Sequence, residues 1–206
     1  INFDEGRMTT PPDAIQEFGE WDFEKLFMDE LGLRIVADND VNSFAACERK
    51  MGAGAKYKTY LVMTVGTGIG GAIVVNNKTW RGNNYNAGEI GRMLVDGIHW
   101  EKMGSMTALL KSAKLRGLEV EEGKEVFDLY DQGDRVAQLV VGEFYRNLGK
   151  GIANLVYIFN PEAVIIGGAI SARDDFGQEI NAYADYYLVD GFQDTLDIIP
   201  AHYKND

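Results

Sequence analysis

Four groups of residues in this 206-residue chain could do chemistry. The densest lies in residues 63 to 82, where Gly66, Gly68, Gly70 and Gly71 interrupt two apolar, β-branched runs. Glycine inside a strand costs roughly 1 kcal/mol against alanine, so the cluster needs a compensating reason. A glycine-rich turn lets backbone N–H groups converge on an anion such as phosphate, and the Thr67 hydroxyl adds a donor. A ligand-free glycine-rich hairpin is the alternative. Asn39 and Asp40 stand together where a strand hands over to a helix, and on residue type alone they read as that helix's cap. A third group is Asn86-Ala87-Gly88-Glu89. In the fourth, Gly167-Gly168 ends an apolar run and precedes a helical stretch, a second candidate contact for an anion or nucleotide.

The elements that must position these groups can be read from periodicity. Residues 34 to 38 (RIVAD) read as a short buried strand, and 41 to 52 as a helix. Strands are expected at 59 to 65 and 70 to 75, with Asn76-Asn77 as a tight turn into a short strand carrying Trp80. Helices follow at 105 to 115 with Ser105 as N-cap, at 122 to 131, and at 135 to 159. The last carries Val136, Leu139, Val140, Phe144, Leu148, Ile152 and Leu155 on its core face, with Gly149 and Gly151 allowing close packing. A buried strand in 163 to 171, a helix from about 175 to 188 and a strand near 196 to 200 complete the pattern. The only visible boundary falls around 52 to 58.

Bulk composition narrows the function classes. A chain that is 46% apolar and 25% charged reads as soluble and globular. The net charge of −12 disfavours nucleic acid as a partner, because affinity for it rests on Lys and Arg neutralising phosphates. One cysteine, Cys47, excludes an internal disulfide and a cysteine metal cage, which fits a cytoplasmic location. No apolar run reaches the roughly 18 residues of a membrane span. The chain opens at Ile1 without Met and is expected to be a piece of a longer protein.

In order and spacing, the segments ADNDVNSFAACERKMGAG, VGTGIGGAIVVNNKTWRGNNYNAGEIGR and GIANLVYIFNPEAVIIGGAIS resemble the ROK family (repressor, open reading frame, kinase) over nearly the whole chain. The resemblance implies an α/β protein of the ribonuclease H-like, actin-like ATPase fold of hexokinase type, mostly its larger C-terminal lobe. Residues 1–55 would then end the small lobe and carry the catalytic aspartate, and 56–206 would form the large lobe. It further implies a cytoplasmic, ATP- and Mg2+-dependent sugar kinase, commonly a homodimer. Asp40 would be the base facing the sugar hydroxyl, while Asn39, Asn86, Glu89 and Arg92 would be substrate-binding. Gly66, Thr67, Gly68 and Gly70 would contact phosphate, and Gly167 and Gly168 the adenosine. A sugar hydroxyl is too weak an acid to be deprotonated beforehand by a carboxylate, so Asp40 would orient it and accept its proton as the phosphoryl group moves. Asn39 offers both a donor and an acceptor to a ring hydroxyl.

Departures from the family refine the expectation. Many members follow the Gly-Glu-Ile-Gly element with a histidine and zinc-binding cysteines. Arg92 stands at that histidine's position, and residues 93 to 105 hold His99 but no cysteine, so no structural zinc is expected. Burial of Trp100 and Met103 would hold the loop instead, with His99 as a surface or packing residue. A further sugar-contacting glutamate of the family falls at Thr107 by this count, which puts monosaccharide selectivity in question. The zinc-free loop resembles the β-glucoside kinase branch, which phosphorylates the 6-hydroxyl of a glucosyl unit. The family's Asp-x-Gly-Gly-Thr loop and its last helices would lie outside residues 1–206, so this piece alone is expected to be a poor catalyst. The alternative is a ROK sugar-responsive transcriptional regulator, which the acidic charge and intact glycine loop disfavour.

Overall fold

The computed structural model describes residues 1–8 and 21–203. Its centre is a five-stranded sheet assembled from β1 (Tyr60–Val65), β2 (Ile69–Val75), β3 (Lys78–Trp80), β6 (Ala163–Gly167) and β7 (Asp197–Pro200) in the order β3-β2-β1-β6-β7. β2 runs antiparallel to β1 and β3, whereas β6 and β7 run parallel to β1. Asn76 and Asn77 make the β2–β3 turn at φ 51° and 62°, left-handed values that asparagine tolerates and a tight hairpin demands. A small hairpin, β4 (Leu94–Val95) and β5 (Ile98–His99), turns through Asp96-Gly97 in the same way.

Helices cover both faces of the sheet. Leu61, Met63 and Val65 of β1 face one core, and Tyr60 and Val62 face the other, the two-residue alternation of a strand buried on both sides. α4 (Met106–Leu115), α5 (Gly123–Asp131), α6 (Arg135–Phe159) and α7 (Phe176–Asp185) build the larger layer. α2 (Asp40–Met51) lies on the opposite face through Val41 and Ala45. Three helix starts are fixed by side chains: the oxygens of Asn39, Ser105 and Asp134 accept N–H groups of the first turns of α2, α4 and α6. α6 is the spine. Trp100 is fully buried against it and donates from Nε1 to the Asn147 carbonyl at 2.8 Å. A Cβ on Gly151 would come within 2.0 Å of the indole, so glycine is required there by contact. No helix among the described residues is long and apolar enough to cross a membrane.

Three expectations need correction. Residues 34 to 38 form no strand: they are extended, but no described strand runs beside them to complete a hydrogen-bonded ladder, and Val36 is 70% exposed. Leu139 is 63% exposed, because at 3.6 residues per turn it falls on the far side of α6 from the centre of the Val140, Phe144, Leu148 stripe. The helix expected to run to about residue 188 ends at Asp185, and the chain continues in turns. α1 (Phe23–Leu31), capped by Asp22, buries no residue.

Candidate active site

β1 and β6 are parallel neighbours, and the chain leaves both at their carboxyl ends, into Gly66 and Gly168. Such strand ends commonly open a ligand crevice. A cleft of about 550 Å³ lies there, walled by the start of α2, the β1–β2 turn, the loop 85 to 89, Glu101 and Gly168.

The first wall is the α2 N-terminus. Asn39, extended at φ −61° and ψ 149°, accepts from the N–H groups of Val41 at 2.9 Å and Asn42 at 3.3 Å through Oδ1. That oxygen has two acceptor positions and both are used, so Asn39 presents only its Nδ2 donor to the cleft. The cap reading is therefore correct, and the two-way partner expected for a ring hydroxyl is reduced to a donor. Asp40 begins the helix with its carboxylate exposed on the cleft. Oδ1 accepts from the Val41 N–H at 2.9 Å. Oδ2 has no protein donor among the described residues.

The glycine turn forms the second wall. Gly66 N–H donates to the Gly68 carbonyl at 3.0 Å, and the Met106 N–H, at the start of α4, donates to the Gly66 carbonyl at 2.9 Å. Neither the Thr67 amide nor its hydroxyl bonds another described residue. None of Gly66, Gly68, Gly70 or Gly71 has positive φ. The reason for glycine is proximity: a Cβ on Gly70 would meet Val41 Cγ2 at 2.7 Å, and one on Gly71 would meet the Gly88 carbonyl at 2.7 Å. Helix α2 and the Gly88–Gly91 segment thus cross β2 directly on its backbone. Gly88 returns the constraint, since at φ +96° its own Cβ would lie 2.4 Å from the Gly71 carbonyl.

That crossing holds Asn86 and Glu89 at the cleft. Arg92 lies off its lining; its Nε is 3.8 Å from Glu89 Oε2, with both side chains well exposed, a weak pairing. The His99 ring Nδ1 is 2.7 Å from the Arg92 carbonyl on the surface, as expected of a surface residue. Gly168 lines the cleft, and at φ +95° a Cβ there would meet the Val65 carbonyl at 2.4 Å. Gly167 is buried in β6 opposite Thr64 and does not reach the lining.

One acid of the cleft was not anticipated. Thr107 is exposed on α4, away from the cleft, while Glu101 lines it with Oε2 so near Gly68 that a Cβ there would stand 2.9 Å away. The signal available was Trp100: once its ring is committed to the core, the next residue on α3 (Glu101–Gly104) is turned elsewhere, here toward the β1–β2 turn. Thr64, Phe44 and Tyr85 also line the cleft and were not anticipated.

The ROK family matches residues 1–206, the whole chain. A β-glucoside kinase of Klebsiella pneumoniae is 34% identical over 194 residues, covering 89% of this chain and 65% of its own length. A glucokinase of Streptomyces coelicolor is 32% identical over 204 residues, covering 85% of this chain and 64% of its own. The chain thus spans about two thirds of the length of these relatives. The crystal structure of a ROK family glucokinase from Streptomyces griseus in complex with glucose and AMPPNP superposes with a TM-score of 0.83 at 26% identity, over 97% of this chain and 73% of that one. The mixed α/β architecture is accordingly the actin-like ATPase fold of hexokinase type.

Proposed function

The chain belongs to the ROK family, and on that premise we propose that the cleft at the carboxyl ends of β1 and β6 is the site where an ATP-dependent kinase phosphorylates a sugar, at the 6-hydroxyl of a hexose or β-glucoside. The observation that carries this is the gathering of Asp40, Asn39, Asn86, Glu89, Glu101 and the Thr67 turn on one cleft, from segments that the sequence keeps far apart.

Asp40 is the base. Its exposed carboxylate accepts the hydroxyl proton as the phosphoryl group arrives, and by hydrogen bonding fixes which oxygen attacks. Asn39 donates from Nδ2, while Glu89 and Glu101 accept from ring hydroxyls and Asn86 does either. Arg92, outside the lining and only weakly paired with Glu89, is left to meet the substrate from the cleft's rim. The free Thr67 amide and hydroxyl face the transferring phosphate, with Gly66, Gly68 and Gly70 shaping the turn that presents them, and positioning and charge stabilisation are most of what phosphoryl transfer needs. Gly168 lies on the adenosine side, with Gly167 setting its place from within β6. The carboxylates of Asp40 and Glu101 are hard oxygen donors that would suit a Mg2+ ion carried by the nucleotide, and the ion would supply neutralisation of the phosphate charge. The β-glucoside relative supports a substrate extended beyond one glucosyl ring, and Phe44 and Tyr85 offer aromatic surface for it.

The test is a substrate panel with the full-length enzyme, using ATP with glucose, mannose, cellobiose and arbutin, and phosphorus-carbon NMR of each product. Phosphate on O6 of a glucosyl unit is expected. No transfer to any of these, or phosphate on the anomeric oxygen, would contradict the proposal.

A further inference from the structure

Behind the α2 wall lies an ion pair that no cleft contact explains. Asp38 and Arg81 have side chains only 11% and 21% exposed, and neither lines the cleft. Asp38 Oδ2 accepts from Arg81 Nη2 at 2.5 Å and from its Nε at 3.2 Å. Asp38 Oδ1 accepts from the Asn39 N–H at 2.9 Å and from Asn42 Nδ2 at 3.1 Å. One carboxylate therefore holds the residue before Asp40 and the first turn of the helix that Asp40 begins. The guanidinium is itself fixed. Its Cζ stands 3.5 Å over the Phe3 ring, and Nη1 donates to the Thr79 carbonyl at 3.3 Å. Through its main chain Arg81 also accepts the Ala87 N–H at 3.0 Å, closing the loop that carries Asn86 and leads to Glu89.

Resting on the sugar-kinase reading, we propose that Arg81 is a positioning residue that acts through Asp38, joining the base-bearing turn of α2 to the sugar-facing loop so that both meet one sugar ring in a fixed geometry. The planar fork is what the contact requires. Lysine has a single nitrogen, and it would lose both the paired contact to Asp38 Oδ2 and the bond to Thr79. Phosphoryl transfer is sensitive to small displacements of base and acceptor, so a loosened α2 turn lowers turnover more than nucleotide affinity.

The experiment uses the full-length enzyme and the variants Arg81→Lys, Arg81→Gln, Asp38→Asn and Asp38→Asn/Arg81→Gln. Folding is checked by circular dichroism, and kcat and both KM values are measured for the best substrate of the panel. Each single variant is expected to lower kcat about 10- to 100-fold with KM for ATP within about twofold of the wild type. The double variant should be no more than about twofold worse than the poorer single one, because both remove the same link. Arg81→Lys keeps the charge and is the mildest to folding, so it carries the test if the others do not fold. A folded Arg81→Lys enzyme with wild-type kcat, or single effects that multiply in the double variant, would overturn the proposal. A wild-type enzyme that phosphorylates no sugar would instead overturn the kinase reading, and this proposal with it.

Discussion

Asn39 carries two roles that substitution can separate. Its Oδ1 caps α2 through the N–H groups of Val41 and Asn42, and its Nδ2 is the donor left to the sugar. Asn39→Ala removes both. The lost cap costs about 1 kcal/mol, which in a protein of this size lowers Tm by roughly 2–4 °C. Asn39→Ser keeps a capping oxygen, so its cost in stability is within a few tenths of a kcal/mol, but the separate Nδ2 donor is gone and the one hydroxyl hydrogen sits on the shorter, capping oxygen itself. Losing one neutral hydrogen bond to the substrate costs about 0.5–1.5 kcal/mol, a factor of roughly 2 to 13 in kcat/KM for the sugar. A coupled ATPase assay with sugar titrated at saturating ATP, alongside thermal unfolding of the same samples, reads both quantities. The serine variant should have nearly wild-type Tm with reduced kcat/KM for sugar and unchanged KM for ATP. Wild-type kcat/KM in a serine variant of unchanged Tm would show that Asn39 is only a cap, and the donor argument would be refuted.

Three further outcomes concern the scaffold. Glu48 is fully buried and its carboxylate accepts the N–H groups of Ala53, His202 and Tyr203 at 2.7, 3.2 and 3.1 Å, tying the end of α2 to the segment after β7. Glu48→Gln offers one acceptor oxygen in place of two and should cost about 1–3 kcal/mol in urea unfolding, with no change smaller than about 0.5 kcal/mol expected. The Tyr60 hydroxyl is buried without a hydrogen-bond partner among the described residues and burial pushes its pKa up to about 12, so Tyr60→Phe should leave stability unchanged or raise it; a loss of more than about 1 kcal/mol would mean that the hydroxyl has a partner. The Thr59 and Lys58 N–H groups hold the Glu162 carboxyl below its usual pKa. A depressed folded-state pKa stabilises above the unfolded value and is lost as pH falls through the folded one, so the Tm gap between wild type and Glu162→Gln should be widest near pH 7 and close toward pH 3.

Much of this architecture could be read from residues because it is locally enforced. The caps at Asn39 and Ser105, the Asn76-Asn77 turn and the apolar period of α6 each act within a few residues. What could not be read depends on partners distant in the chain. Residues 34 to 38 have strand-like composition, but a strand also needs a neighbour, and none of the described strands adjoins them. Glu101 was missed because nothing in the residue types of this loop shows which side faces the cleft, whereas burial of Trp100 in the folded chain turns its neighbour outward. The glycines of residues 66 to 71 read in sequence as a phosphate-binding turn or a ligand-free hairpin. In the structure Gly70 and Gly71 are required by helix α2 and by Gly88, and these contacts bring Asp40 and Glu89 to the same cleft as the Thr67 turn.

The role of Asp40 is the centre of the account, and Asp40→Asn in the full-length enzyme tests it most directly. The substitution keeps size and hydrogen bonding but cannot take the proton, so kcat should fall by about 10²- to 10⁴-fold while sugar affinity, measured by calorimetry, stays within a few-fold. Turnover within about threefold of the wild type would show that Asp40 serves only as the first residue of a capped helix, and would contradict the assignment of this cleft's base.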